Sequence, residues 1–178
     1  MRKLLRPFAA LALSLPWIAS AAPVAPKLRL PDSITPASYR AELTLDPAKP
    51  TFSGSISIKV NVKQPVDLIW LNATKIDVAN ASLQSGGKSF AAKPVPGGDD
   101  FLGLQFDSPL PTGPAEIQIR YTGTIREGSS SGIFKMEDNG NNYLYTQFEQ
   151  IDARAAFPCF DEPSYKVPWQ LTLNVPQS

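Results

Sequence analysis

The residues best able to do chemistry are concentrated between Thr146 and Pro163. The segment reads Thr146-Gln147-Phe148-Glu149-Gln150-Ile151-Asp152-Ala153-Arg154-Ala155-Ala156-Phe157-Pro158-Cys159-Phe160-Asp161-Glu162-Pro163, four acids and one arginine among aromatics and prolines. A charge in apolar surroundings is costly unless paired, so each of these groups needs a partner. Arg154 is expected to hold an irregular loop through a guanidinium–carboxylate fork with Asp152, Asp161 or Glu162. Asp161 and Glu162, just ahead of Pro163, read as structural acids that satisfy loop amides. Gln147 and Glu149 read differently. Two residues apart on an extended strand, they share a face opposite Phe148. With Phe148 inward, that face meets either a cleft or plain solvent.

Much chemistry is excluded by one count. The chain has no histidine, so it can build no His-ligated zinc site, no Ser-His-Asp triad and no Cys-His dyad. Cys159 is the only cysteine, which rules out an intrachain disulfide. With Phe157, Pro158 and Phe160 around it and no base to activate it, Cys159 is expected to be inert, buried packing. Asp138-Asn139-Gly140-Asn141-Asn142 has the acid and amide content of a calcium loop but lacks the bidentate Glu, and reads better as a hairpin turn. Asn72-Ala73-Thr74 and Asn80-Ala81-Ser82 are glycosylation sequons where the host has that machinery. Glycoside hydrolysis by Glu149 with Asp152 or Glu162 is the least favoured chemistry, because carboxylate separation is not written in a sequence. No catalytic residue and no metal ligand is assigned within the chain.

The elements that must position these groups are strands. Tyr39, Ala41, Leu43 and Leu45 alternate with polar residues, as do Phe52, Ile56, Ile58, Val60 and Val62. Gly54 falls on that second apolar face, where it marks a close approach or a bulge. Val66 to Leu71 is a more continuous apolar run, as in a strand buried on both faces. Further strands are expected around Leu102 to Phe106, Ala115 to Tyr121, Tyr143 to Phe148 and Val167 to Val175. Ser85-Gly86-Gly87, Pro96-Gly97-Gly98 and Pro111-Thr112-Gly113 supply turns between them. No window has the 3.6-residue period of a helix, and 18 prolines against 11 glycines disfavour a bundle. The fold class is all-β, an antiparallel β-sandwich of eight or so short strands.

The 178 residues are enough for one domain, and 43% hydrophobic with 19% charged residues is ordinary globular usage. Arg2, Lys3 and Arg6, the apolar stretch Phe8 to Ile18 and Ala19-Ser20-Ala21 read as a cleaved signal peptide over 1–21, hence a periplasmic or secreted protein. Residues 22–31 read as an extended Pro/Ala-rich arm, and 32–178 as the β domain. The whole chain has 17 basic and 16 acidic residues; cleavage removes three basic ones, leaving a net charge of −2. No basic patch is left for phosphates, so a nucleic-acid partner is not expected.

The segment Thr146-Gln147-Phe148-Glu149, Asp152-Ala153-Arg154 and Phe157-Pro158-Cys159-Phe160-Asp161-Glu162-Pro163 closely resembles the end of the N-terminal domain in zinc aminopeptidases of the aminopeptidase N family. Asp32-Ser33-Ile34-Thr35-Pro36 with Tyr39, Phe52-x-Gly54, Leu71-Asn72, Tyr121-x-Gly123 and Gly132-Ile133-Phe134 match more loosely, in the family's order, from about Pro31 onward. The resemblance implies a saddle-like all-β domain beside a separate thermolysin-like catalytic domain. It implies that Glu149 binds the substrate's free α-ammonium group and that Gln147 lines the pocket for the first side chain. The partner is then a peptide N-terminus, together with the catalytic domain of the same enzyme.

The departures are as informative. The family's His-Glu-x-x-His motif, its later Glu and its Gly-x-Met-x-Asn motif are absent. Zinc is therefore expected in the parent enzyme and not in this chain, which should be inactive alone and reads as a truncated gene product, a fragment or an incomplete gene model stopping before the catalytic domain. Unclosed strand edges predict marginal stability and aggregation. The competing expectation is a free-standing secreted β-sandwich that binds a protein or glycan.

Overall fold

Residues 23–177 are described by the computed structural model, so the export signal read over 1–21 lies outside the described residues. The strands are β1 (Ile34–Thr44), β2 (Thr51–Val62), β3 (Val66–Asn72), β4 (Ile76–Ser85), β5 (Lys88–Pro96), β6 (Phe101–Leu110), β7 (Gly113–Thr124), β8 (Gly132–Asp138), β9 (Asn141–Gln147) and β10 (Trp169–Asn174). One 3₁₀ turn, Ala153–Ala155, is the only helical element among the described residues. The all-β expectation holds.

Eight strands form one sheet in the order β10-β1-β2-β7-β4-β5-β6-β3, while β8 and β9 form a separate hairpin. The sheet turns a corner within β5. Lys88 to Ala91 pair with β4, and Ala92 to Pro96 pair with β6. Each half of β5 thus has a single neighbour, which is why Pro94 and Pro96 are tolerated in a strand. The sheet is mixed where an antiparallel one was expected, because β10 joins β1 in parallel, Tyr39 opposite Trp169. The long connection 148–168 gives the chain room to return in the same direction.

Alternation makes the core. Ala41 and Leu43 of β1, Ile56, Ile58 and Val60 of β2, and Ile117 and Ile119 of β7 point to one side, each at most 3% exposed. Ile69 and Leu71 of β3 and Leu104 and Phe106 of β6 meet them in the same cluster. Each of the larger side chains contributes roughly 1.5–3 kcal/mol by leaving water. In β3, Ile69 to Asn72 are buried consecutively, as the continuous apolar run predicted. At its Asn72 end the loop after β9 covers its outer edge: Asn72 and Cys159 exchange backbone hydrogen bonds of 2.8 and 3.0 Å.

Two motifs interlock across β2 and β7. Phe52 lies opposite Gly123 and Gly54 opposite Tyr121, so each aromatic has a glycine across from it. The Phe52 and Tyr121 rings meet edge-on, 6.3 Å between centroids. At the tip of the β8–β9 hairpin, Asn139 (φ 50°) and Gly140 (φ 78°) form the two left-handed corners of a tight turn. The hairpin reading of that stretch is thus the observed one.

Candidate functional site

β9 ends at Gln147 and delivers the chain to Glu149. Phe148 turns inward, half-buried, its ring edge-on to Phe157 at 5.8 Å. Gln147 and Glu149 are both exposed, and the Gln147 side-chain Oε1 accepts the Glu149 backbone N–H at 3.2 Å. The structure therefore brings these two together. Strand alternation accounts only for Gln147, since the ladder stops there; the Gln147 side chain holds the next turn. That turn closes when the Asp152 N–H donates to the Phe148 carbonyl at 3.0 Å.

The other acids of the segment are taken. Asp161 accepts from Arg154 Nε at 3.0 Å, and this pair is largely buried, with side chains 16% and 10% exposed. Of the three partners expected for Arg154, Asp161 is the one it finds. Asp152 turns the other way and binds Arg126 at 2.8 Å. Glu162 accepts the Leu30 N–H at 2.8 Å and lies 3.7 Å from Arg29. Glu149 has no cationic partner among the described residues.

Two groups, Asp100 and Arg126, escape the sequence reading, and a third, Asn72, has a role other than those read there. Asp100, between β5 and β6, approaches Arg154 at 3.6 Å. Arg126, just past β7, is the partner of Asp152. Asn72 is buried, and its Oδ1 accepts the Asp161 N–H at 3.1 Å. The sequon reading of Asn72-Ala73-Thr74 is corrected for the folded chain: Asn72 is buried and bonded, and the Thr74 N–H donates to the Arg154 carbonyl at 2.9 Å. Asn80 is exposed.

Tyrosines from the main sheet clamp the loop. The Tyr39 hydroxyl accepts the Phe160 N–H at 3.0 Å, and the Tyr121 hydroxyl donates to the Ala156 carbonyl at 2.8 Å. Burial pushes both phenols far above their ordinary range, so they stay neutral. Cys159 is buried as expected. Burial, reinforced by the nearby Asp161 carboxylate, raises its thiol well above the ordinary range, which makes it a poor nucleophile.

A mainly apolar hollow of about 400 Å³ lies beside the turn, lined by Phe148, Gln150, Phe157, Tyr165, Trp169 and Leu171. Glu149 stands outside it, between two residues that line it. The chain has no histidine, and the described residues include no group of three His, Cys, Asp or Glu side chains able to hold a metal. These residues do not fit a zinc centre.

Comparison with known sequences agrees with the resemblance carried by this segment. The profile of the Peptidase M1 N-terminal domain matches residues 35–178. The chain belongs to that family. Aminopeptidase M1-D of Oryza sativa subsp. japonica is 37% identical over 161 residues, 89% of this chain and 18% of the plant protein. Endoplasmic reticulum aminopeptidase 1 of Homo sapiens is 28% identical, covering 83% of this chain and 17% of its own length. Aminopeptidase N of Acetobacter pasteurianus is 29% identical over 84% of this chain and 42% of its own length. This M1 N-terminal domain spans less than a fifth of the plant and human relatives.

Proposed function

We propose that this M1 N-terminal domain anchors substrate in an exported zinc aminopeptidase, with Glu149 receiving the α-ammonium group of a peptide and Gln147 bordering its first side chain. The supporting observation is the one left-over carboxylate. Of the four acids in the segment, Asp152, Asp161 and Glu162 are spent on arginines and a backbone amide, and Glu149 alone faces outward with no such partner among the described residues.

The exposure of Glu149 supports a reading in which the domain works with a second body. An ion pair at 4 Å is worth about 1 kcal/mol in water and about 4 kcal/mol at an effective dielectric of 20. Glu149 is exposed here, so it holds an ammonium weakly until a catalytic domain covers it. Once covered, it also rejects blocked ends and internal peptide positions, whose neutral amides leave the carboxylate unpaired. Metal chemistry belongs to that other domain, and no step of it runs through these residues. Export rests on the charged, apolar and small-residue order of positions 1–21.

The test is kinetic, in the complete enzyme. Glu149→Ala should lower kcat/KM for leucine p-nitroanilide by about 100-fold, the loss of roughly 2–3 kcal/mol typical of one partner of a desolvated charge pair. The 178-residue chain alone should release no nitroaniline. Unchanged kinetics in the variant would overturn the anchoring role.

A further inference from the structure

We infer that Arg126 is a positioning residue for Glu149, holding the turn that aims its carboxylate. The inference rests on the reading of Glu149 as the ammonium anchor.

Glu149 lies in a short bridge with two fixed ends. At one end Gln147 pairs with Gly132, the first residue of β8. At the other end Asp152 closes the turn onto the Phe148 carbonyl and binds Arg126 Nη1 at 2.8 Å. Arg126 governs both ends. Its backbone N–H donates to the Ile133 carbonyl and its carbonyl accepts the Lys135 N–H, each at 2.9 Å, which sets β8 beside the exit of β7. Its guanidinium then passes over Gly132, where an added methyl would stand 3.3 Å from Arg126 Cζ, and also binds the Ser131 hydroxyl.

Among the described residues, the hairpin is tied to the main sheet by Ile133 in the core and by the Arg126 contacts at the end of β7. β8 and β9 pair only with one another among the described strands, and the isolated bridge from Arg126 to Phe134 joins them to the strand that precedes them. The neighbouring acid, Glu127, is already engaged with Lys135 at 2.6 Å, which leaves the Arg126 charge to Asp152. The Arg126 and Asp152 side chains are 23% and 25% exposed, shielded enough to hold one geometry. Loss of the pair frees the Asp152 end of the turn. The carboxylate of Glu149 then samples several directions, and a bound ammonium must select one of them.

The test uses leucine p-nitroanilide kinetics in the complete enzyme for Glu149→Ala, Arg126→Gln, Arg126→Lys and the exchanged pair Arg126→Asp with Asp152→Arg. Arg126→Gln should raise KM by about 10-fold with kcat within about 2-fold, the signature of lost binding that is equal in ground and transition states. Arg126→Lys should recover part of that loss, and the exchanged pair should return KM to within about 3-fold of the parent. A variant that merely contains fewer folded molecules loses apparent kcat at constant KM, and that result overturns the positioning role. So does an unchanged KM in Arg126→Gln while Glu149→Ala is impaired, which leaves the anchor standing. Unchanged kinetics in Glu149→Ala instead remove the anchor itself. Where Arg126→Gln fails to fold, Arg126→Lys and the exchanged pair decide by the same KM criterion.

Discussion

Gly54 sits directly under the ring of Tyr121: a methyl group on its α-carbon would stand 2.5 Å from Tyr121 Cζ. The ring cannot step aside cheaply, because its hydroxyl is bonded to the Ala156 carbonyl in the loop that leads from Glu149. Gly54→Ala should therefore destabilise the domain by roughly 1–3 kcal/mol, the usual cost of overpacking. A lower urea midpoint at unchanged slope is the expected reading. A midpoint equal to the parent's would show that the ring is free to move. Tyr121→Phe removes only the hydrogen bond and should cost about 1 kcal/mol.

Arg154 and Asp161 make the opposite kind of contact, polar and in a dry place. Arg154→Ala strands the Asp161 carboxylate and should cost about 3–5 kcal/mol in urea unfolding. Combining Arg154→Met with Asp161→Asn removes both charges and should recover at least about half of that loss. A single variant within about 1 kcal/mol of the parent contradicts the assignment.

How much of this was legible beforehand depends on distance along the chain. β2 and β7 were readable because long alternation points at one core. β4 was not: a register shift between Val78 and Asn80 breaks its period, and Ala79 and Ala81 carry little hydrophobic signal. β5 hides behind Pro94 and Pro96, which only the corner in the sheet makes acceptable. The Arg154–Asp161 pair was within reach, seven residues apart. Asp100 and Arg126 were not, since the sheet order alone brings them to the loop. The reciprocal Phe52–Gly123 and Gly54–Tyr121 pairing was visible as two glycines but needed the register for its cause.

Alkaline pH should unfold the domain. The Cys159 thiol, ordinarily at 9.0, is raised by burial first and the Asp161 charge second; Tyr39 and Tyr121, ordinarily at 10.0, are raised chiefly by burial. Above those ordinary values the unfolded chain releases protons that the folded chain keeps, so it binds fewer, and stability falls as pH rises. The thiol's contribution is lost above pH 9 and the phenols' above pH 10, each by about 1.4 kcal/mol per pH unit. Cys159→Ala should flatten the first part of that fall, between the thiol and phenol values. Urea midpoints followed from pH 8 upward check both slopes; identical slopes for the two proteins refute the thiol's share.

The edge of the main sheet gives the last expectation. The Pro168 and Asn174 carbonyls accept from Tyr39 and Leu45 at 2.9 Å, so the even-numbered residues of β10 turn their backbone groups toward β1. Trp169, Leu171 and Leu173 consequently turn theirs outward, and their side chains are 45%, 50% and 52% exposed. The strand Trp-Gln-Leu-Thr-Leu-Asn carries no charge to deter pairing with another chain. The chain by itself should therefore self-associate through β10 as its concentration rises. Leu173→Lys places a charge on that edge without touching the hollow beside Phe148. It should suppress the light scattering of concentrated samples while shifting the urea midpoint by no more than about 0.5 kcal/mol equivalent. Scattering that persists unchanged in Leu173→Lys would place the association elsewhere, with the exposed Tyr143 and Tyr145 of β9 the next surface to substitute.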